Sequence, residues 1–376
     1  MSEEKSPTCI FKNERVIYTS YLNEFTPDLY EEFDQNAKKI GLHTKIDDLF
    51  NGEEVNFTEN LAAWHPKYRA EYNPNESDTP SNKGQHSELL DFYDLCNDAI
   101  NIVIIGIGGS FEGPKMLLEN IEFNHADNNL IFITGSDLSE FIMKTNKLRP
   151  EDTIFLVLSK SFVTEETISL LEEAISWSGD INKFVAITAN KEQAKKYNIN
   201  CILEFDDQIG GRYSIWSEIS VLIKWLSKEN FDNFMAGGKQ ADNDLKEDET
   251  YLKFVKTLAY SDIWLHNYKN KNSRAILSYI WRWRSFPDYI QQLEMESLGK
   301  QPNINSKFKK TGQIIFGGYG PRAQHSYFQL LHQGTQDICA DIIANKKDIK
   351  SLAYAQAIAQ SKLLSQGAND LKDHER

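Results

Sequence analysis

The chain has 376 residues, 40% of them hydrophobic and 12% aromatic, which is enough apolar material for two domains or one large two-lobed domain. Its 41 basic and 55 acidic side chains leave a net charge of −14 and a pI near 5.1. That balance excludes nucleic acid and anionic membranes as expected partners. The opening M-S-E-E-K-S-P is polar and acidic and reads as no secretory signal. No apolar run approaches the ~18 residues of a membrane span.

In chain order, residues 1–95 read as an irregular, mostly helical segment. Apolar spacing predicts a helix over Asp28–Leu49, Asn51-Gly52 a turn, and Asn73–Gly84 an exposed loop rich in turn formers. His65 by itself reads as a structural histidine. Cys9, Cys96, Cys201 and Cys339 are far apart and form no metal or redox spacing, as expected of reduced thiols in the cytoplasm.

From Asn101 the pattern alternates. Strands are predicted at Ile102–Ile105, Leu130–Thr134, Thr153–Leu158 and Phe184–Thr188, with helices at Pro114–Glu119, Leu138–Asn146 and Thr164–Trp177. The pattern predicts an α/β fold with a parallel sheet covered by helices on both faces, which binds ligands at the carboxyl ends of its strands. Two such ends stand out. Ile102–Ile105 breaks into Gly106, Gly108, Gly109 and Ser110, with a helix expected to start near Gly113-Pro114. Phe111 stands where a dinucleotide fingerprint needs its third glycine, and Pro114-Lys115 does not continue a mononucleotide loop. What survives is a turn offering N–H groups and a hydroxyl to a small phosphate, or a tight turn with no ligand. The second end is Ser159-Lys160-Ser161, followed by Thr164 and Thr167: hydroxyls and an ammonium at a strand end and helix start. The same residues would also serve as an ordinary helix cap. Two such loops together favour a phosphate pocket.

The remaining motifs also have two readings. Gly210-Gly211-Arg212 sets a guanidinium beside backbone that tolerates close approach, suited to an oxyanion or to a surface turn. Gln292 and Glu296 form an i, i+4 pair if their segment is helical. In a semi-buried pocket Glu296 has the raised proton affinity of a general base; on a surface helix it is inert. His325 and His332, seven apart, would share a helix face. The second lobe is expected after Phe234–Gly238 and the charged run Asp242–Glu249, with a long aromatic helix over Leu252–Trp283. Strands at Thr311–Phe316 and Ile338–Ile343 and a helix over Ser351–Gln366 then predict a second αβα sandwich. The expected domains are 1–95, 96–235 and 236–376.

Together these motifs carry a family resemblance. I-G-I-G-G-S-x-x-G-P with S-K-S-F-V-T-E-E-T resembles the sugar isomerase domains of the glucose-6-phosphate isomerases. So do the run Asn51–Glu59 with His65, Val185–Thr188, Gly210–Ser217, Gln291–Lys300 and Gln324–Thr335, in order between residues 51 and 365. Asn60 replaces a usual arginine, Phe111-Glu112 replaces Asp-Leu, Thr134-Gly135 precedes Asp137 where Ser-Asn is usual, and residues 318–323 vary the loop before His325.

The resemblance implies an aldose–ketose isomerase acting on glucose 6-phosphate and fructose 6-phosphate, with no cofactor, metal or nucleotide. It implies phosphate binding by Gly109, Ser110, Ser159, Lys160, Ser161 and Thr164, and substrate orientation by Gln292. It further implies ring opening by His325, proton transfer by Glu296 and charge stabilisation by Arg212. The family is dimeric, with the histidine reaching the neighbouring site. A C-terminal lysine segment usual in the family is not seen before Arg376, so the second lobe is expected to be incomplete and isomerisation impaired. Lys300 could substitute but reads as a helix-end surface lysine. A non-catalytic phosphosugar-binding protein and an isomerase of another phosphosugar are the alternatives; keeping Glu296, His325 and Arg212 together argues against the first, the Gln-x-x-x-Glu and Gln-His motifs against the second.

Overall fold

A computed structural model describes residues 7–57, 59–76, 86–121 and 128–367. Thr58, most of the loop expected over Asn73–Gly84 and the charged tail from Asn369 lie outside the described residues. The chain divides into two compact units, one of residues 45–240 and one combining the residues up to 44 with those from 241 onward. No helix among the described residues is long and apolar enough to cross a membrane.

The unit of residues 45–240 is built on a parallel sheet. Strands β3 (Asn101–Ile105), β4 (Asn129–Ile133), β5 (Thr153–Leu158), β6 (Phe184–Thr188) and β7 (Cys201–Glu204) lie in the order β4-β3-β5-β6-β7. The expected strands are therefore present, and β7, an edge strand with only Cys201, Ile202 and Leu203 as its apolar signal, is added to them. Side chains alternate between the faces along each strand. Val103, Ile105, Phe155, Val157, Phe184 and Ala186 pack on one face against Phe141, Leu170, Leu171, Ala174 and Ala194 from the helices. The alternate residues Ile102, Ile104, Ile154, Leu156, Val185 and Ile187 are buried just as fully. Both faces are covered, which is why these strands read as unbroken apolar runs. Residues 86–98, expected with the N-terminal segment, form a helix of this unit that buries Leu89, Phe92 and Cys96.

The other unit begins with an antiparallel hairpin, β1 (Thr8–Lys12) and β2 (Ile17–Ser20), where a mostly helical segment was expected. Phe11 anchors it, stacked on Phe254 at 4.5 Å. The helix expected over Asp28–Leu49 is two helices, Pro27–Lys39 and Leu42–Asn51, separated at Gly41, whose φ of +70° ends the first. The glycines at 237–238 and the charged run after them break nothing, since a helix spans Lys228–Glu247 and Asp248 caps the next one, Glu249–Asn267. The helix expected to continue to Trp283 stops at Asn267. Residues 268–272 turn, with Asn270 at φ +55°, and strand β8 (Ser273–Ser278) follows. Strand β8 is the centre of a parallel sheet, flanked by β9 (Ile314–Tyr319) and β10 (Ile338–Ile343). Ala275 and Leu277 form its core with Phe328 and Ala357.

Candidate active site

The strand order of the first sheet selects one position. The chain leaves β3 for β4 on one side, then crosses to β5 on the other. The carboxyl ends of β3 and β5 therefore flank the topological switch point, where the outgoing connections diverge and leave a crevice. Both hydroxyl loops emerge there, since Ile105 pairs in register with Val157.

The loop after β3 turns at Gly108, which has φ +59° and ψ −125° and caps the helix Gly109–Asn120. The helix thus starts well before the expected Gly113-Pro114. The reversal at Gly108 and the bonds from Phe111 and Glu112 N–H to its carbonyl close the first turn. Pro114 lies buried inside the helix, lacking only the N–H that would reach Ser110. A Cβ on Gly109 would stand 1.9 Å from the carbonyl oxygen of Gly211, so only glycine lets these two turns meet. Ser214 Oγ donates to the Gly109 carbonyl at 3.3 Å. Ser110, which is buried, and Arg212 are thus held on adjoining turns.

The loop after β5 is tied from inside. Ser159 is 4% exposed, and its Oγ accepts from Phe162 N–H at 3.1 Å. Phe162 takes φ +53° and buries its ring. The Lys160 carbonyl accepts from Thr188 Oγ1 and Ala189 N–H, while the Lys160 ammonium lies 3.7 Å from Glu59. Ser161 accepts from Val163 N–H. Thr164 occupies the cap position of helix Glu165–Ser178, but its hydroxyl accepts no helix N–H. The loop is therefore shaped by Ser159 and Phe162 rather than by an ordinary cap at Thr164.

The Arg212 guanidinium lies 5.3 Å from the centre of the Tyr213 ring. Tyr213 in turn stacks on His65 at 4.2 Å with the planes 9° apart. Burial, with the charges of Arg69 and Arg212 adding to it, pushes the His65 imidazole down to about 3. His65 is a neutral packing partner beside the arginine. Neither Tyr213 nor Glu59 was singled out for a role by the sequence reading; both lie within its motifs, and only their neighbours carried an evident chemistry.

The other unit carries the remaining candidates. Gln292 and Glu296 sit on the helix Phe286–Leu298, and Gln292 Nε2 donates to Glu296 Oε2 at 3.0 Å. The expected i, i+4 pair is present. Glu296 is exposed in the single chain rather than semi-buried. His325 is exposed in the turn between the helices Gly320–Ala323 and Phe328–Gln333. It shares no helix face with His332, because the chain turns between them; His332 Nε2 lies 2.7 Å from Gln360 Oε1. Gln324 Oε1 accepts from Tyr279 OH at 3.0 Å, which fixes the residue before His325. Lys300 is exposed just past the helix end.

The model of the phosphoglucose isomerase family matches residues 21–372. The chain belongs to that family. It is 32% identical over 364 residues to the glucose-6-phosphate isomerase of Neurospora crassa, covering 88% of this chain and 65% of the relative. The corresponding enzyme of Christiangramia forsetii is 33% identical over 383 residues, 93% of this chain and 70% of the relative. The chain thus spans about two thirds of the length of these relatives. A crystal structure of a glucose-6-phosphate isomerase from Chlamydia trachomatis shares the fold, with a TM-score of 0.80 at 23% identity over 96% of this chain and 76% of that one.

The positions at which this family member departs from the usual motif are built into the fold. Phe111 meets the Phe132 ring edge-on at 5.4 Å. Gly135 takes φ +124°, and Asp137 caps the helix Leu138–Thr145 by accepting from Ser139 N–H at 2.9 Å.

Proposed function

We propose that this chain interconverts glucose 6-phosphate and fructose 6-phosphate. The observation that carries the reading is the convergence of the two hydroxyl loops at the β3/β5 switch point, with the Arg212 turn locked against Gly109. The phosphate dianion is held by Ser159, Ser161, Thr164 and Lys160 from one loop and by Ser110 and the backbone of Gly109 from the other. His325 opens the ring by moving a proton from the anomeric hydroxyl to the ring oxygen. Glu296 then removes the proton from C2 of the aldose, leaving a cis-enediolate; a proton passes from the C2 hydroxyl to the C1 oxygen through the cis-enediol, and Glu296 returns its proton to C1 to give the ketose. Gln292, hydrogen-bonded to Glu296, orients the substrate. Arg212 stabilises the charge that builds on the enediolate oxygen, a term typically worth ~10²–10³ in rate. Each step is a proton transfer, so neither a metal nor a nucleotide enters. We also propose a cytoplasmic homodimer in which His325 serves the partner's site; four free thiols agree with a reducing compartment.

The test is a coupled assay with fructose 6-phosphate on the wild-type chain and on Glu296→Gln. Measurable turnover by the unsubstituted chain is expected. The variant should lose about 10²–10⁴ in kcat while still binding a phosphorylated sugar acid, because the phosphate loops are untouched. Unreduced turnover in Glu296→Gln would refute the role of this carboxylate.

A further inference from the structure

We propose that Arg274 is a positioning residue for isomerisation: it fixes the helix that carries Glu296 against strand β8. The inference rests on the base role given to Glu296 above. Arg274 is the second residue of β8. Its neighbour Ala275 and then Leu277 pack into the core of the sheet, so alternation sends Arg274 to the other face. There its buried guanidinium meets, among the described residues, three carboxylates from three elements. Nη1 donates to Asp262 Oδ2 of the helix Glu249–Asn267 at 2.5 Å, Nη2 donates to Glu294 Oε1 of the helix Phe286–Leu298, and Nε lies 3.6 Å from Asp341 Oδ2 of β10. Burial pushes all three carboxyls up, and the charge of the guanidinium opposes the rise. The fork of an arginine serves several acids at once, which the point charge of a lysine does not. Without it the acids repel one another and turn to solvent, since each side chain is about a third exposed.

Of these acids Glu294 alone lies on the helix of the base. The same side of that helix is also bonded to β9: Gln291 Nε2 donates to the Ile315 carbonyl at 2.7 Å, and the Ile315 N–H donates to Met295 Sδ at 3.4 Å. Positions 291, 294 and 295 recur at helical spacing and form one face. At about 100° per residue, Glu296 stands about 200° round the helix from Glu294, on the face turned away from the sheet. The bonds on the sheet side therefore set the rotation and depth at which Glu296 is presented. Those to Ile315 are neutral. The Arg274–Glu294 bond is charge-assisted, hence about twice as strong as a neutral one, and it lies two residues from the base.

The experiment is steady-state kinetics of the full chain with fructose 6-phosphate. Glu294→Ala should lower kcat by about 10-fold and leave KM within about 3-fold, because the phosphate donors lie on other elements. Glu294→Gln keeps an acceptor of the same length for the guanidinium and should recover most of that loss. Asp262→Ala removes a partner of the same guanidinium from a helix without catalytic groups, and should leave kcat within about 2-fold. In a Glu296→Gln background, Glu294→Ala should cost at most about 2-fold more, since Arg274 acts through the base; a variant that merely unfolds part of the protein lowers both backgrounds equally. Arg274→Met should lose at least as much kcat as Glu294→Ala. If Arg274→Met does not fold, Glu294→Ala decides. An unchanged kcat in Glu294→Ala, equal losses in Glu294→Ala and Asp262→Ala, or the same loss in both backgrounds would each overturn the inference. If Glu296→Gln keeps full turnover, the base assignment fails and this inference falls with it; loss in Glu296→Gln beside an unchanged Glu294→Ala overturns this inference alone.

Discussion

Two hydroxyls that look alike in sequence differ in the folded protein, and the difference is measurable. Ser159 is buried and its oxygen holds the Phe162 N–H; Thr164 holds no helix N–H. Ser159→Ala should cost about 1 kcal/mol of stability as well as substrate affinity, whereas Thr164→Ala should cost affinity alone. Because these donors meet the same dianion in ground and transition states, the double variant should raise KM far more than it lowers kcat. Steady-state kinetics with urea unfolding checks both, and a variant that keeps KM and loses only kcat would exclude these groups from phosphate binding. His65 makes a separate prediction. Its proton affinity falls from the ordinary 6.5 to about 3 on folding, so between those values the unfolded chain binds the extra proton. The stability it contributes is complete above pH 6.5 and is lost as pH falls toward 3, at up to ~1.4 kcal/mol per pH unit. His65→Gln should flatten that part of the acid limb in an unfolding-versus-pH series. An unaltered limb would mean that the imidazole is already protonated in the fold.

At the scale of elements, the helices Pro27–Lys39 and Glu249–Asn267 are joined by a buried ion pair. Lys256 Nζ lies 2.9 Å from Asp34 Oδ1, with both side chains about nine-tenths buried, and Tyr260 OH donates to the same oxygen. Burial pushes the Asp34 carboxyl up, but the bonds from Lys38 and Lys256 outweigh it and hold the group down to about 2. Asp34→Ala strands the Lys256 ammonium in the interior and should destabilise this unit by about 3–5 kcal/mol. Lys38→Ala, at an exposed position, should change little. Guanidinium unfolding distinguishes them; equal effects would mean that the pair is not buried in solution. Elements also differed in how far they could be read in advance. Strands β3, β5 and β6 were legible because burial on both faces demands continuous apolar runs. Strand β8 was not. Its Ala-Ile-Leu core lies in a stretch so rich in apolar and aromatic residues that helical and extended periods both fit, and its pairing with β9 and β10 decides in favour of the strand.

For the whole molecule, the proposed shared site has a direct test. Glu296→Gln and His325→Ala homodimers should each be nearly inactive. After subunit exchange, a mixture should regain part of the activity, because one of the two sites in a mixed dimer then has both groups intact. Absence of recovery despite demonstrated exchange would assign the histidine to its own subunit.

Sequence alone determined the α/β class, the position of both hydroxyl loops, the i, i+4 pairing of Gln292 with Glu296 and the family. Each is carried by a short run whose residues act on their immediate neighbours, through apolar continuity, turn chemistry or helical spacing. Tertiary structure alone decided the order β4-β3-β5, which brings two distant loops to neighbouring strand ends. It also decided the approach of Gly109 to Gly211 that sets Arg212 beside Ser110, the central place of β8, and the separation of His325 from the helix of His332. Strand pairing and backbone contact join residues tens of positions apart. No local pattern specifies which apolar run becomes the neighbour of which, because that choice minimises the exposed surface of the whole fold rather than of any one segment.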